Sequence, residues 1–198
     1  MGDVTGDEHT WGDPGARVPG SVGPSPPQAF TMARLGNLRW AELQVFSIAG
    51  GWVGTSDDPA VAVTLSAVSA HAAWRARNLA DRLPTIGEFR AASVTVPTSD
   101  AMAGFPGELV NLDGDLRRVA VLAEVLLPSL VAALNGLVEV LSPVADAPSL
   151  RIIPICVADL EADVGRLTDV LATAGAELDQ FDVFLAGTRT SLESAGGW

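Results

Sequence analysis

Apolar residues recur every three or four positions over four long stretches of this chain, and such spacing predicts four amphipathic α-helices. Local signals place the ends: serine or aspartate precedes a first-turn proline, and glycine or proline follows the last turn. The predicted helices cover about 25–52, 58–83, 112–141 and a fourth from Asp146 that continues towards Leu185, with a break at Gly175 that would create a fifth helix.

The connections between these helices predict how they are arranged. The first link is only GTSDDP, so the first two helices should be antiparallel neighbours. The link over 84–107 is long, with either a short extended piece or a helical turn near 94–96, and it allows the third helix to run parallel to the second. We therefore predict an all-α fold, a ferritin-like four-helix bundle with a long helix 2–3 crossover connection.

The two ends of the chain carry weaker patterns than the body. Residues 1–24 are rich in Gly, Pro and Asp without an apolar period, which is typical of a flexible arm. Residues 188–198 are expected to form a flexible C-terminal tail. The helical bundle is accordingly predicted to span 25–187 as one domain.

Composition excludes several classes of partner. The 198 residues carry a net charge of −12 and no basic stripe, so binding to nucleic acid is not expected. The single cysteine excludes an intrachain disulfide or a thiolate cluster. Charged residues and prolines interrupt the most apolar run, which favours a buried helix over a membrane span. Residues 1–20 do not resemble a signal peptide, so we expect a cytoplasmic protein.

Two polar residues lie where apolar ones are expected. Glu42 falls within the apolar stripe of the first helix, where a carboxylate needs a partner such as Arg75 or His71. His71 borders the apolar side of the second helix, and it is expected to hydrogen-bond Glu42 or Asp159 unless it binds a metal.

Each of the remaining polar and aromatic candidate site residues has a structural and a functional interpretation. Asp159 and Asp163 are one turn apart and predict a charged face that pairs with Arg166, although Asp159 could also line a site. Glu124 is either a solvated flank residue or a ligand. Trp52 and Trp74 should pack in the core, or else lie near His71 and stack on a ligand.

Four short segments of the chain resemble known sequences. In order they are ELQVFSIAGGWVGTSDDPAV, SAHAAW, RLP and DAPSLRII, spread over about 35–165. Together they resemble a family of uncharacterised bacterial ferritin-like proteins. The resemblance implies a four-helix ferritin-like fold, but no settled activity.

The wider superfamily holds two metals with a Glu on each of two helices and Glu-x-x-His on each of the other two. Val68 stands where the second helix should supply glutamate, and Ala162 where the fourth should supply histidine. Arg75 adds a cation that would repel metals. The resemblance therefore implies a degenerate site, whose remaining ligand candidates are Glu42, His71, Glu124 and Asp159.

These residues lead to three hypotheses. The first is a cofactor-free bundle that binds a small-molecule ligand or a protein partner, with homodimer formation through its apolar sides. Its interhelical cluster would hold the ligand or lock the core. The second is a divergent iron or manganese oxidase or oxygenase with one or two metals. The third is metal-free acid–base catalysis. The first hypothesis assigns ligand binding to Arg75, Trp52, Trp74 and Asp159. The second assigns metal binding to Glu42, His71, Glu124 and Asp159. The third assigns catalysis to Glu42 and His71.

Overall fold

The computed structural model describes residues 28–198, and within them the secondary structure is helical with no strand, which confirms the all-α prediction. The expected N-terminal arm, 1–24, lies outside the described residues. In chain order the helices are α1 (Gln28–Val53), α2 (Pro59–Ala80), α3 (Ala91–Val94), α4 (Asp100–Val110), α5 (Asp115–Val121), a π-helical segment (Leu122–Leu126), α6 (Leu127–Val140), α7 (Ala147–Thr173), a 3-10 turn (Leu178–Phe181) and α8 (Asp182–Ser194).

The first two helices form a close antiparallel pair. Asp58 caps α2 through its side chain, which accepts from the Ala60 N–H at 2.7 Å, and Pro59 opens the first turn. Ser69 on α2 donates to the Phe46 carbonyl at 2.9 Å. A β-carbon added to Gly50 would lie 2.9 Å from the Ser69 Oγ, so a glycine here lets the helices approach closely.

The third long helix, Asp115–Val140, is continuous through α5, the π-helical segment and α6. Its N-terminus lies beside that of α2, because the Asp115 carboxylate accepts from the N–H groups of Asp57 and Asp58 at 3.0 and 2.9 Å. α2 and α5 therefore begin at the same end of the protein. A short turn then leads from α6 into α7, which packs against both α6 and α2.

The link between α2 and α5 is folded rather than loose. α3 is the helical turn that was one of the two alternatives near 94–96. α4 was not predicted, although Met102, Phe105 and Leu109 follow helical spacing and are buried. Both helices pack on α1. The contact is tightest at Gly36, where an added β-carbon would lie 2.1 Å from the Val94 carbonyl oxygen.

Pro128 accounts for the irregular part of the third long helix. Proline has no N–H, so the Glu124 carbonyl one turn earlier loses its helical donor. Arg189 of α8 supplies a donor instead, at 3.2 Å. The N–H of Leu127 bonds to Leu122, five residues back, which makes this turn π-helical. The distortion before Pro128 thus takes the form of a wide, π-helical turn.

The helix Asp115–Val140 is the one helix of residues 28–198 with the length and apolar composition needed to cross a membrane. Half of its most apolar window is buried within the protein. A core helix passes the same test of length and composition.

The C-terminal segment corrects the prediction of a flexible tail at 188–198. α7 ends as predicted at Gly175, which adopts φ +65°, and α8 then packs back on the body. Trp198 is buried, with its ring 6.2 Å from that of Trp40 and 5.9 Å from that of Phe105. Arg34 donates to its carbonyl at 2.9 Å. Burial of a large aromatic ring is the physical reason that this segment is fixed to the body.

Candidate functional site

Three long helices each place one charged residue in an otherwise apolar stripe. In α1 this residue is Glu42, in α2 it is Arg75 and in α7 it is Asp163, and all three are completely buried. His71, Asp159 and Arg166 surround them. We call this set the buried charge cluster: Glu42, His71, Arg75, Asp159, Asp163 and Arg166.

Arg75 lies at the centre of the buried charge cluster. Its Nε donates to Glu42 Oε1 at 3.0 Å, and its Nη1 donates to Asp159 Oδ2 at 2.6 Å and to Asp163 Oδ2 at 2.9 Å. Burial by itself would lower the pKa of this guanidinium, but the Glu42 charge and the three hydrogen bonds raise it above its usual value. Arg75 therefore remains charged and links α1, α2 and α7.

Asp163 connects the buried centre to the surface. Its Oδ1 accepts from His71 Nδ1 at 2.7 Å and from Arg166 Nη1 at 2.6 Å, while its Oδ2 accepts from Arg75. The side chains of His71 and Arg166 are 34% and 49% exposed. Since an ionised Asp163 only accepts hydrogen bonds, His71 carries its proton on Nδ1, and Nε2 is the nitrogen left to contact a ligand.

Glu42 is the carboxyl group that burial affects most. Burial raises its pKa to about 7, although the charge of Arg75 acts in the opposite direction. Within 28–198, Glu42 Oε2 and Arg75 Nη2 make no hydrogen bond. With Glu42 ionised and His71 neutral, three carboxylates and two guanidiniums give −3 + 2 = −1. One proton on Glu42 balances the cluster.

The sequence predicted part of this arrangement. Glu42 pairs with Arg75 and Asp163 pairs with Arg166, as expected. The sequence predicts a hydrogen bond from His71 to Glu42 or Asp159. This prediction is wrong, because His71 bonds to Asp163 instead. The reason is the antiparallel course of α2 and α7, which places Asp163 at the level of His71 and Asp159 one turn away, at the level of Arg75.

Asp163 itself was missed as a site residue. The sequence predicts a charged face at this position, yet Asp163 continues the buried stripe of Ile153, Cys156, Leu160 and Leu167 at spacings of three and four. Arg75 continues the stripe of α2 in the same way. The signal was therefore present in the pattern, as a charged residue at each of these core positions.

Three other predicted site residues lie elsewhere. Glu124 lines a depression of about 420 Å³ with Arg189 of α8, away from the cluster. Trp52 is buried, and its Nε1 donates to the Val110 carbonyl at 3.2 Å. Trp74 is 44% exposed on the outer side of α2. Glu124 is thus not among the ligand atoms that converge at His71, and the indole of Trp52 is hydrogen-bonded elsewhere.

The donors of the cluster do not fit a di-metal centre. Ligand atoms of His71, Asp159 and Asp163 lie within 4.8 Å of one another, and one imidazole with two carboxylates is a donor set that transition metals accept. However, the Arg75 Nη1 lies within 2.9 Å of both carboxylates, and Glu42 is bound to the same guanidinium. A divalent ion there would meet a fixed positive charge at close range.

Cys156 lies near this cluster but is not a nucleophile. It is fully buried, and burial together with the charge of Glu42 raises the pKa of its thiol to about 12. A thiol with that pKa carries almost no thiolate at neutral pH. Cys156 is therefore part of the packing of α7.

Comparison with protein-family models, with curated proteins and with solved structures gives no significant match to this chain.

Proposed function

We propose that this chain is a metal-free binding protein with a ferritin-like four-helix arrangement, in which Arg75 takes the place of a metal between the helices. The observation that carries this proposal is the completely buried guanidinium bound to Glu42, Asp159 and Asp163. Its role is to bind a small molecule or a protein partner, a second copy of the chain included, on the surface of the helices. The cluster itself locks three helices in one register.

The directions of the helices support the ferritin-like arrangement. An antiparallel α1–α2 pair, a long crossover and a third long helix parallel to α2 are the connectivity of that fold. The sequence resemblance over about 35–165 points the same way.

The chemistry of arginine supports a role without redox activity. A guanidinium offers five N–H donors in a fixed plane and cannot lose its charge in a protein. In this chain it satisfies carboxylates from two neighbouring helices at once. A metal ion would also bind these carboxylates and could change its oxidation state, but it would first have to displace Arg75.

The second candidate function is that of a mononuclear iron or manganese enzyme. It is favoured by the convergence of His71, Asp159 and Asp163, since three protein donors with open positions is a pattern of catalytic metal sites. Acid–base catalysis by Glu42 and His71 together has less support. Arg75 and Asp163 separate these two residues, and only His71 reaches the surface.

The metal content of the purified protein distinguishes the candidates. Wild-type protein from cultures with added iron and manganese should contain neither metal in stoichiometric amount. Arg75→Gln should gain affinity for manganese or cobalt, because it removes the positive charge and leaves the carboxylates, and adding His71→Ala should reverse the gain. Stoichiometric iron or manganese in the wild type that disappears in His71→Ala alone would refute the metal-free proposal.

A further inference from the structure

A groove of about 470 Å³ lies where the C-terminal end of α2 meets the N-terminal end of α7, apart from the buried charge cluster. Arg82, in the turn that follows α2, and Arg151 of α7 line it, with Asn78 beside them and Ile152 and Ile155 along one wall. None of the hypotheses drawn from the sequence uses this groove.

The groove is basic although the protein is acidic. The net charge of the chain is −12, yet no aspartate or glutamate lines the groove. Within the described residues neither Arg82 nor Arg151 forms an ion pair. Two guanidiniums that face one groove without a carboxylate make a local positive potential that attracts an anion.

Arg82 adds a specific hydrogen-bonding demand. Its Nε is buried and has no hydrogen-bond partner within 28–198. The Nη groups of Arg82 are not buried in this way, so they are the donors within reach of an oxyanion in the groove. Arginine suits this task because its planar N–H groups match the spacing of carboxylate and phosphate oxygens.

The start of α7 strengthens the positive potential. This helix has 27 residues and begins at Ala147, on the wall of the groove. The carboxylate of its cap residue, Asp146, accepts from the Ser142 N–H at 2.9 Å and does not line the groove. The side chain of Asp146 therefore makes no hydrogen bond to the first N–H groups of α7, although its charge offsets part of the helix dipole.

The isoleucine wall indicates what kind of anion fits. Ile155 is 52% exposed although it is large and apolar, and Ile152 next to it is half-buried. An inorganic ion would leave this wall in contact with water, whereas the apolar part of an organic ligand would cover it. We propose that the groove binds a small organic anion, with its carboxylate or phosphate group on Arg82 and Arg151 and its apolar part on Ile152 and Ile155.

This inference rests on the proposed function, whose small molecule it specifies, and its test is independent of the metal content of the cluster. It can be tested by titrating the full-length ¹⁵N-labelled protein at constant ionic strength with three probes: phenyl phosphate, hexanoate and inorganic phosphate. At least one organic anion should cause saturable shifts at the amides of Asn78 and Ile152, and bind more tightly than inorganic phosphate.

Single variants test each part of the groove. Arg82→Gln and Arg151→Gln should each weaken the organic anion roughly tenfold or more, because each removes a charged hydrogen bond. Ile155→Asn should weaken the organic probe but leave inorganic phosphate unchanged. The matched control is Arg77→Gln, which removes the same charge from an exposed position on α2 outside the groove and should leave binding unchanged.

The fold of each variant is checked by circular dichroism, so that a loss of binding is compared only among folded proteins. Three results would overturn the proposal: no saturable shift with any probe, equal or tighter binding of inorganic phosphate, or an equal loss of binding in Arg77→Gln. The first two exclude a site for an organic anion, and the third shows that only the overall charge matters.

Discussion

Replacing Arg75 with methionine tests whether the buried charge cluster holds the helices together. Methionine has a comparable length and is apolar, so Arg75→Met removes the charge and the donors while it leaves the space largely filled. Within the described residues Glu42 then loses the one side chain that pairs with it, and Asp159 loses its ion pair. Asp163 retains His71 and Arg166.

The size of the effect depends on pH. Removing one partner of a buried ion pair costs about 3–5 kcal/mol because the other charge remains buried, and we expect this loss at pH 8. At pH 5 the loss should be smaller by about 1 kcal/mol, the free energy that corresponds to the one pH unit between pH 8 and the pKa of Glu42. The difference arises because the pKa of Glu42 is about 7 in the folded wild type, so at pH 5 this carboxyl is already neutral.

Urea unfolding followed by circular dichroism measures both values. In the background of Glu42→Gln, the cost of Arg75→Met at pH 8 should fall towards its value at pH 5, because one buried charge is already absent. Arg77→Met is the control, since Arg77 is exposed on the same helix and its loss should change the free energy of unfolding by less than about 0.5 kcal/mol. A cost for Arg75→Met that is the same at pH 5 and pH 8, or below about 1 kcal/mol at both, would refute the reasoning.

Three further predictions concern single positions. The pKa of Glu42 is about 7 in the folded protein against 4.5 in the unfolded chain. Its contribution to the free energy of unfolding should therefore fall by about 3 kcal/mol as the pH rises from 4.5 to 7. Urea titrations at several pH values should show this fall in the wild type but not in Glu42→Gln. Gly36→Ala should lower the melting temperature, because its β-carbon meets the Val94 carbonyl. Gly51→Ala has open space around it in the same helix and should raise the free energy of unfolding by up to about 1 kcal/mol. Equal effects of the two substitutions would contradict this prediction. Trp198→Ala should cost about 3–5 kcal/mol in urea unfolding, and a loss below about 1 kcal/mol would mean that its burial contributes little.

The sequence by itself determined where the long helices lie. Their positions follow from local rules, because apolar spacing, an Asp cap before Pro59 and the glycine at Gly175 act within one or two turns. The same pattern also contained the buried charges, since Glu42, Arg75 and Asp163 each interrupt an apolar stripe. A stripe shows which face of a helix is inward.

Only the tertiary structure decided which of these residues meet. The stripe of α2 does not say that Arg75 lies level with Asp159 while His71 lies level with Asp163, because that depends on how far α7 is displaced along its axis against α2. The surroundings of Glu124 also depend on how the helices pack. It lies in the π-helical turn before Pro128 and lines the depression beside α8, on a side that a regular helix pattern does not reveal. Periodicity is a property of neighbouring residues, whereas the level at which helices meet is set by contacts between residues far apart in the chain.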